Sequence, residues 1–343
     1  MKRKKFISSL LTTVTALHVS GIGNTGKAER DVETVQLKVP GYLKKGDWIG
    51  ITSPAGYISI EDIQSAVNKM TEWGLKVKVG ETIGKRNFTF GGTDEERISD
   101  MQKMLDDPNI KAIMCARGGY GSVRIIDQLD FTKFSLQPKW IIGFSDITVM
   151  HSHIHSNFNV ASIHSKMCNS FPADWSLAEP IQLDTIESIR QCLMGEPVVY
   201  SALYNSNNRI GSGRGQLVGG NLTTFETLTG SRSSLDTKNK ILFIEDTGEY
   251  LYSIDRMFWN LKRTGKLSGL KGLIVGGFKI KKDDEGEEFG KTLQQIVLEK
   301  IKDQPYPVCF DFPVGHQKNN YALKCGMLHT LNVTESNSLL SSE

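Results

Sequence analysis

The chain has 343 residues, 39% of them hydrophobic and 23% charged, enough to bury a full core over about two domains. Its formal charge of +3 is small and the basic residues are dispersed apart from Lys2 to Lys5, which excludes the basic stripe of a nucleic-acid binder. Five cysteines (Cys115, Cys168, Cys192, Cys309 and Cys325), odd in number and without C-x-x-C spacing, read as structural thiols rather than a disulfide framework or a zinc site.

Residues 1–35 differ from the rest. KRKK precedes the moderately apolar FISSLLTTVTALHV, a run too short and too polar to span a bilayer. This is the shape of an export signal and places the protein in the periplasm or outside the cell; a disordered basic tail on a cytoplasmic protein is the competing reading. From Gly46 onward strands and helices alternate, the rhythm of an α/β fold with a largely parallel sheet. DWIGITS (47–53) is a strand and 61–74 an amphipathic helix. LKVKVG (75–80) is a strand, 94–105 a helix, KAIMCA (111–116) a strand, 123–129 a short helix and KWII (139–142) a strand. The texture changes over 169–213, which holds a helix near 181–192 and the polar run YNSNNRIGSGRG and reads as a connection between an N-terminal domain (36–168) and a C-terminal one (214–343). Beyond it come GQLVGG, a helical start at Asn221, the strand KILFIED (240–246), a helix over 254–263, the strand LKGLIVGGF (270–278), a helix over 292–302 and a last strand, PVCFDF.

Ligands of open α/β sheets bind beyond the carboxyl ends of the strands, where helix N-termini and exposed N–H groups converge. Three such ends carry suggestive side chains: Ser145 after KWIIGF, Glu245 after ILFI, and His316 after PVCFDFPVG. A serine hydroxyl needs a base, histidine has a suitable pKa, and a carboxylate fixes the imidazole tautomer, so the three could form a triad. A helix cap is the simpler reading of Ser145, since GFSDI lacks the second glycine of a G-x-S-x-G elbow, and Asp246 and Glu249 compete with Glu245. The turn ARGGYG (116–121) lacks both the P-loop ending and the G-x-G-x-x-G order. Its small residues suit an oxyanion hole built with the N–H of Asp146, and Arg117 or Tyr120 could hold or cover a substrate carboxylate. His151 and His155 lie at i, i+4, a spacing that can bind a metal, but zinc needs three or four convergent ligands; a solvated helix face accounts for His151, His153 and His155 more simply.

GDWIGITSPAG, ARGGYGSVRIIDQLDF, KWIIGFSDIT, GQLVGGNLTT, ILFIEDTGEYLYSIDRM and the late Gly315-His316 together resemble, in order and spacing, the LD-carboxypeptidases of serine peptidase family S66. The resemblance runs from about Gly46 to Gly326 and is far more specific than any one motif. It implies an N-terminal Rossmann-like or flavodoxin-like half carrying the nucleophile Ser145, and a C-terminal α/β half with a β-rich core carrying the acid Glu245 and the base His316. It further implies oxyanion donors at the backbone N–H of Asp146 and of Gly118 or Gly119, no metal or other cofactor, and a homodimer. The implied reaction removes the terminal D-alanine of a muramoyl tetrapeptide, a murein peptide, through an acyl-enzyme. The chain departs from the family pattern at His164-Ser165-Lys166-Met167, where members commonly show His-Gly-Pro-Met, and at Leu323-Lys324-Cys325-Gly326, where Leu-Pro-x-Gly is usual. Both departures bear on substrate preference. A branch of the family that hydrolyses microcin C-type aminoacyl nucleotides is the alternative enzyme; a module that binds a nucleotide or muropeptide without cleaving it is the alternative outside catalysis.

Overall fold

The computed structural model describes residues 36–342; the expected export signal lies outside them. In chain order the elements are β1 (Trp48–Thr52), α1 (Ile60–Glu72), β2 (Lys76–Val79), α2 (Asp94–Asp106), β3 (Ile110–Cys115), α3 (Ser122–Ile125), α4 (Thr132–Leu136), β4 (Trp140–Gly143), α5 (Thr148–Phe158) and β5 (Ser162–His164). There follow α6 (Pro180–Met194), β6 (Val199–Leu203), β7 (Gly211–Asn221), α7 (Leu222–Thr227), β8 (Ile241–Thr247), α8 (Leu251–Arg263), β9 (Gly272–Lys279), α9 (Leu293–Lys300), β10 (Val308–Cys309), β11 (Leu323–Cys325), β12 (Leu328–Val333) and β13 (Asn337–Ser342).

Two mixed sheets result. The first has strand order β11-β5-β4-β3-β1-β2, parallel from β5 to β2 as the α/β rhythm requires, with the lysine-bearing β2 at its exposed edge. The second runs β10-β9-β8-β7-β12-β13-β6, parallel from β10 to β7 and antiparallel beyond. The expected α/β class and β-rich C-terminal half are both present. Segment 169–213, read from sequence as a connection, is built into the structure. It contains α6, the edge strand β6 and the start of β7, because YSAL alternates buried and exposed residues, as a half-buried strand does. Sequence order is also crossed at the far end: β11 pairs antiparallel with β5, Leu323 opposite His164, so a late strand completes the early sheet.

Helix positions follow local chemistry. Ser59 with Asp62, Thr93 with Glu96 and Thr292 with Gln295 form reciprocal capping boxes that satisfy the first N–H groups of α1, α2 and α9. Buried residues recur at helical spacing, as at Ile63, Ala66 and Met70 of α1 and at Ile254, Met257, Phe258 and Leu261 of α8. One apolar cluster draws on both sheets, with Ile142 and Ile163 from the first and Leu217, Phe243, Ile274 and Leu331 from the second. The outer faces are covered separately, by α2 to α5 over the first sheet and by α7 to α9 over the second.

The histidines of α5 correct a sequence expectation. His151, His153 and His155 are buried rather than solvated, because α5 packs between its own sheet and β7 with α7. His151 Nε2 lies 2.9 Å from the Gly143 carbonyl, and His153 Nδ1 2.9 Å from Ser233 Oγ, with its ring against Phe131 and Phe158. Among the described residues no group of three or more His, Cys, Asp or Glu side chains is placed to hold a metal.

Burial pushes all three imidazoles down to about 4. Their folded pKa values lie below the unfolded value of about 6.5, so the folded state carries no penalty above that pH and loses stability as pH falls from 6.5 through 4. Urea midpoints measured at pH 7, 5.5 and 4.5 should therefore fall steeply, by on the order of 1–3 kcal/mol per histidine over the full window. His153→Gln should flatten part of the slope, and an identical pH profile in that variant would contradict the assignment.

Candidate active site

Parallel strands β4 and β8 deliver the first two candidate side chains. Trp140, Ile141 and Ile142 are fully buried in β4, and the chain turns at Gly143 (φ 158°), where a Cβ would collide with Ile147. Ser145 follows at φ 61°, a left-handed conformation rare for a residue with a side chain, and opens a 3₁₀ turn (Ser145–Ile147) that leads into α5. A strained serine at a strand-to-helix corner is the geometry of a nucleophile elbow, reached here without the second glycine of the usual motif. Asp146 does not itself cap the helix. Its Oδ2 accepts the N–H of Ser122 at 2.8 Å, tying the glycine turn to the serine corner, and burial raises its pKa against the pull of that hydrogen bond.

The glycine turn lies directly beside the serine. A Cβ on Gly118 would stand 3.2 Å from Ser145 Cβ and 3.4 Å from its Oγ, so glycine is what permits this approach. Gly119 takes φ 103°, and with the half-exposed Tyr120 it lines a cavity of about 290 Å³ that also includes Ser145, Asp146, Asn221 and Glu249. Arg117 sits on the same turn, but its Nη1 donates to the Tyr57 carbonyl at 2.9 Å, and it is not among the described residues lining that cavity. Sequence reading missed Arg97. This fully buried side chain donates from Nη1 to the carbonyls of Pro54 (2.6 Å) and Gly121 (3.0 Å), pairs with Asp94 and so clamps both loops at the mouth of β1 and β3. Only its helical spacing with Met101, Met104 and Leu105, which puts a charged residue on the buried side of α2, could have flagged it.

Glu245 lies near the end of β8, whose buried stretch runs on through Asp246, and is 0% exposed. His316 Nδ1 donates to its Oε2 at 2.5 Å. Burial raises the Glu245 carboxyl and the histidine partly offsets it. The neighbouring candidates are otherwise employed or placed. Asp246 accepts from Asn221 Nδ2, from the Thr223 N–H and hydroxyl and from the Thr247 N–H, which organises the start of α7, while Glu249 faces the Ser145 cavity. The imidazole ring of His316 lies 4.9 Å from that of Phe144, the residue preceding Ser145, so the histidine reaches from the second sheet to the serine corner of the first. At the other flank the N–H of Asn221 donates to Thr148 Oγ1 at 3.0 Å, and a Cβ on Gly220 would strike that same threonine, which locks β7 against the first turn of α5.

The departures noted in sequence differ in place. Lys324 and Cys325 form β11, with Lys324 buried and its Nζ over the Tyr42 ring, away from the Ser145 cavity. Lys166 follows β5, and its Nζ lies 5.5 Å from the Phe144 ring, beside the candidate residues.

A buried carboxylate bonded to a partly buried imidazole, near a strained serine and a glycine-lined turn, is an arrangement that acyl-transfer chemistry can use. Comparison with known proteins fits this. Residues 49–165 match the model of the LD-carboxypeptidase N-terminal domain and residues 214–331 that of the LD-carboxypeptidase C-terminal domain. A probable murein peptide carboxypeptidase of Bacillus subtilis is 31% identical over 308 residues, 88% of this chain and 93% of its own length. The murein tetrapeptide carboxypeptidase of Pseudomonas aeruginosa is 27% identical over 81% of this chain and 91% of its own. Among solved structures, a muramoyltetrapeptide carboxypeptidase from Oxalobacter formigenes aligns with a TM-score of 0.75 at 27% identity, over 86% of this chain and 98% of that one. A microcin C7 self-immunity protein aligns at 0.77 over 90% of this chain and 99% of that one, but at 22% identity, so it speaks for the fold alone. The chain belongs to the LD-carboxypeptidase family and is a carboxypeptidase.

Gly315 offers a direct test of the Glu245–His316 pair. It sits at φ 102°, and a Cβ there would lie 2.3 Å from Glu245 Cβ. Gly46, at φ 91°, has nothing within 4 Å of such an atom, so both alanine variants carry backbone strain but only one carries the collision. Gly315→Ala should slow covalent labelling of Ser145 by a fluorophosphonate by about 10²-fold, while Gly46→Ala labels at the native rate. Equal labelling in the two variants would refute the role given to the pair.

Proposed function

We propose that the protein is a serine-type LD-carboxypeptidase that removes the terminal D-alanine of murein tetrapeptides, with Ser145 as nucleophile, His316 as base and Glu245 as the acid that orients it. One observation carries this reading: His316, partly buried and bonded to the buried Glu245, reaches the Phe144 ring at the strained corner that presents Ser145. Ser145 attacks the carbonyl of the L-centre while His316 Nε2 takes its proton. Glu245 holds the other ring nitrogen, fixes the tautomer and stabilises the cation as it forms. Backbone N–H groups of Asp146 and of Gly118 or Gly119 receive the oxyanion, on a turn that Arg97 and Asp146 hold in place before substrate arrives. His316 then protonates the leaving amine of D-alanine, and water resolves the acyl-enzyme by the reverse sequence.

Support for the substrate comes from two sides. Relatives in Bacillus subtilis and Pseudomonas aeruginosa carry the names murein peptide and murein tetrapeptide carboxypeptidase. The cavity at Ser145 is lined by Glu249, whose side chain has no ion-pair partner among the described residues; a diamino acid at the third position would bring it a free amine.

Incubation with a murein tetrapeptide should release free D-alanine, and a fluorophosphonate should label Ser145 alone. Ser145→Ala and His316→Ala should each lower turnover by about 10⁴-fold or more, and Glu245→Gln by a comparable factor, with thermal unfolding preserved. A tetrapeptide left intact by labelled, folded enzyme would sink the substrate assignment. Preferential hydrolysis of an aminoacyl-sulfamoyl nucleotide in the same assay would transfer the assignment to that chemistry.

A further inference from the structure

A second cavity, of about 440 Å³, opens on the histidine side of the site and is lined by Lys166, Lys279, Gln317, Lys318, Asn169 and Ser170 among others. Both Lys166 and Lys279 arrive by the same rule that places the candidate catalytic groups. Lys166 lies just beyond β5, the parallel neighbour of the strand that leads to Ser145, with Gly143 in register with His164. Lys279 ends β9, the parallel neighbour of the strand bearing Glu245, and pairs in register with Thr247. Gln317 directly follows His316, and its carbonyl accepts from Lys166 Nζ at 2.7 Å. That bond fixes the ammonium at the histidine's flank, over the same Phe144 ring that the imidazole touches.

Charge makes the cavity selective. Lys318 is neutralised by Glu179, to which it donates at 2.7 and 2.9 Å. Lys166 and Lys279 form no ion pair among the described residues. Burial and then the repulsion of Lys279 hold the Lys166 ammonium below the usual lysine range, with Glu245 acting the other way. An anion placed between the two lysines would relieve that repulsion.

Which anion belongs there follows from the direction of the reaction. The histidine that deprotonates the serine must deliver the same proton to the leaving nitrogen, so the leaving group lies on the histidine's side of the scissile carbonyl. In a leaving amino acid the carboxylate is two bonds from that nitrogen. We infer that Lys166 and Lys279 form the leaving-group subsite, which binds the free C-terminal carboxylate of the substrate and restricts cleavage to the last residue. A continuing peptide would set a neutral amide against two unpaired ammonium groups and forgo both charge-assisted bonds. Lys166 is one of the positions at which the sequence departs from the usual His-Gly-Pro-Met. The inference rests on the acyl-transfer reading above.

The test compares a tetrapeptide ending in D-alanine with the same peptide ending in D-alaninamide. Native enzyme should favour the acid over the amide in kcat/KM by about tenfold to a hundredfold, the worth of one or two charge-assisted bonds. Lys166→Gln and Lys279→Gln should each shrink that ratio, chiefly through KM for the acid, and the double variant should bring it close to one. A double variant that is folded and keeps the native ratio overturns the subsite. Calorimetric binding of both peptides to Ser145→Ala, with and without Lys166→Gln, reads the preference without turnover and so separates two failures. Native enzyme that cleaves neither peptide defeats the proposed reaction, whereas a Ser145→Ala protein with no acid preference, or one that Lys166→Gln leaves intact, defeats the subsite whatever the reaction.

Discussion

A carboxylate at zero exposure is expensive to bury, and Glu245 is balanced chiefly by one hydrogen bond from His316 Nδ1, since its Oε1 finds no hydrogen-bond partner among the described residues. Much of the surrounding architecture can be understood as keeping that bond in place. Gly315 has no side chain because the Glu245 methylenes occupy the space, and its N–H is held at 2.7 Å by Asn320 Oδ1. His164 Nε2 lies 3.3 Å from the same oxygen, with its ring edge-on to Phe144 and Phe243. The histidine loop is thereby bound to residues of both sheets through side chains that are themselves buried.

A second constraint acts on Ser145. A serine at φ 61° persists only where neighbours dictate it, and here they come from four directions: Gly143 behind, Gly118 alongside, Asp146 reaching to Ser122, and β7 pressing through Gly220 and Asn221 on Thr148. β4 is packed in the cluster the two sheets share, and Phe144 and Ile147, on either side of Ser145, are packed in the cluster on the first sheet's other face, so the strain at Ser145 is supported by core packing and not by the loop alone. Rigid strand ends hold side chains more closely than free loops can, and the candidate groups gather at the ends of β4, β5, β8 and β9.

Much of this was legible in the sequence for physical reasons. Parallel strands buried on both faces read as short apolar runs, so KWII, KAIMCA and ILFI announced β4, β3 and β8, and the ends of KWII and ILFI drew attention to Ser145, a short turn further on, and to Glu245, which follows directly. What escaped was whatever depends on contacts distant along the chain. GSGRG carries no strand periodicity and yet forms the start of β7, because glycine lets it pass close beside Lys271 and Asn239. The polar face expected for the histidines of α5 is buried because β7 and α7 cover it, which no local pattern records. Arg97 belongs to the same class: an ordinary helix residue by spacing, whose importance lies in two loop carbonyls 43 and 24 positions away.

The pairing of β11 with β5 has a mechanical consequence. The segment bearing His316 leaves the second sheet at β10 and enters the first at β11, so it is anchored at one end to each. A chain stretched between two bodies registers any displacement of one against the other. The segment stays hydrogen-bonded to β9 as far as Gly315, with Phe312 donating to the Val275 carbonyl and Gly277 to that of Val314, so a rotation of the sheets would carry His316 and Glu245 together and part the pair from Ser145. The distance from the histidine to the serine is thus a gauge of how the two sheets are aligned, because no single sheet holds both residues.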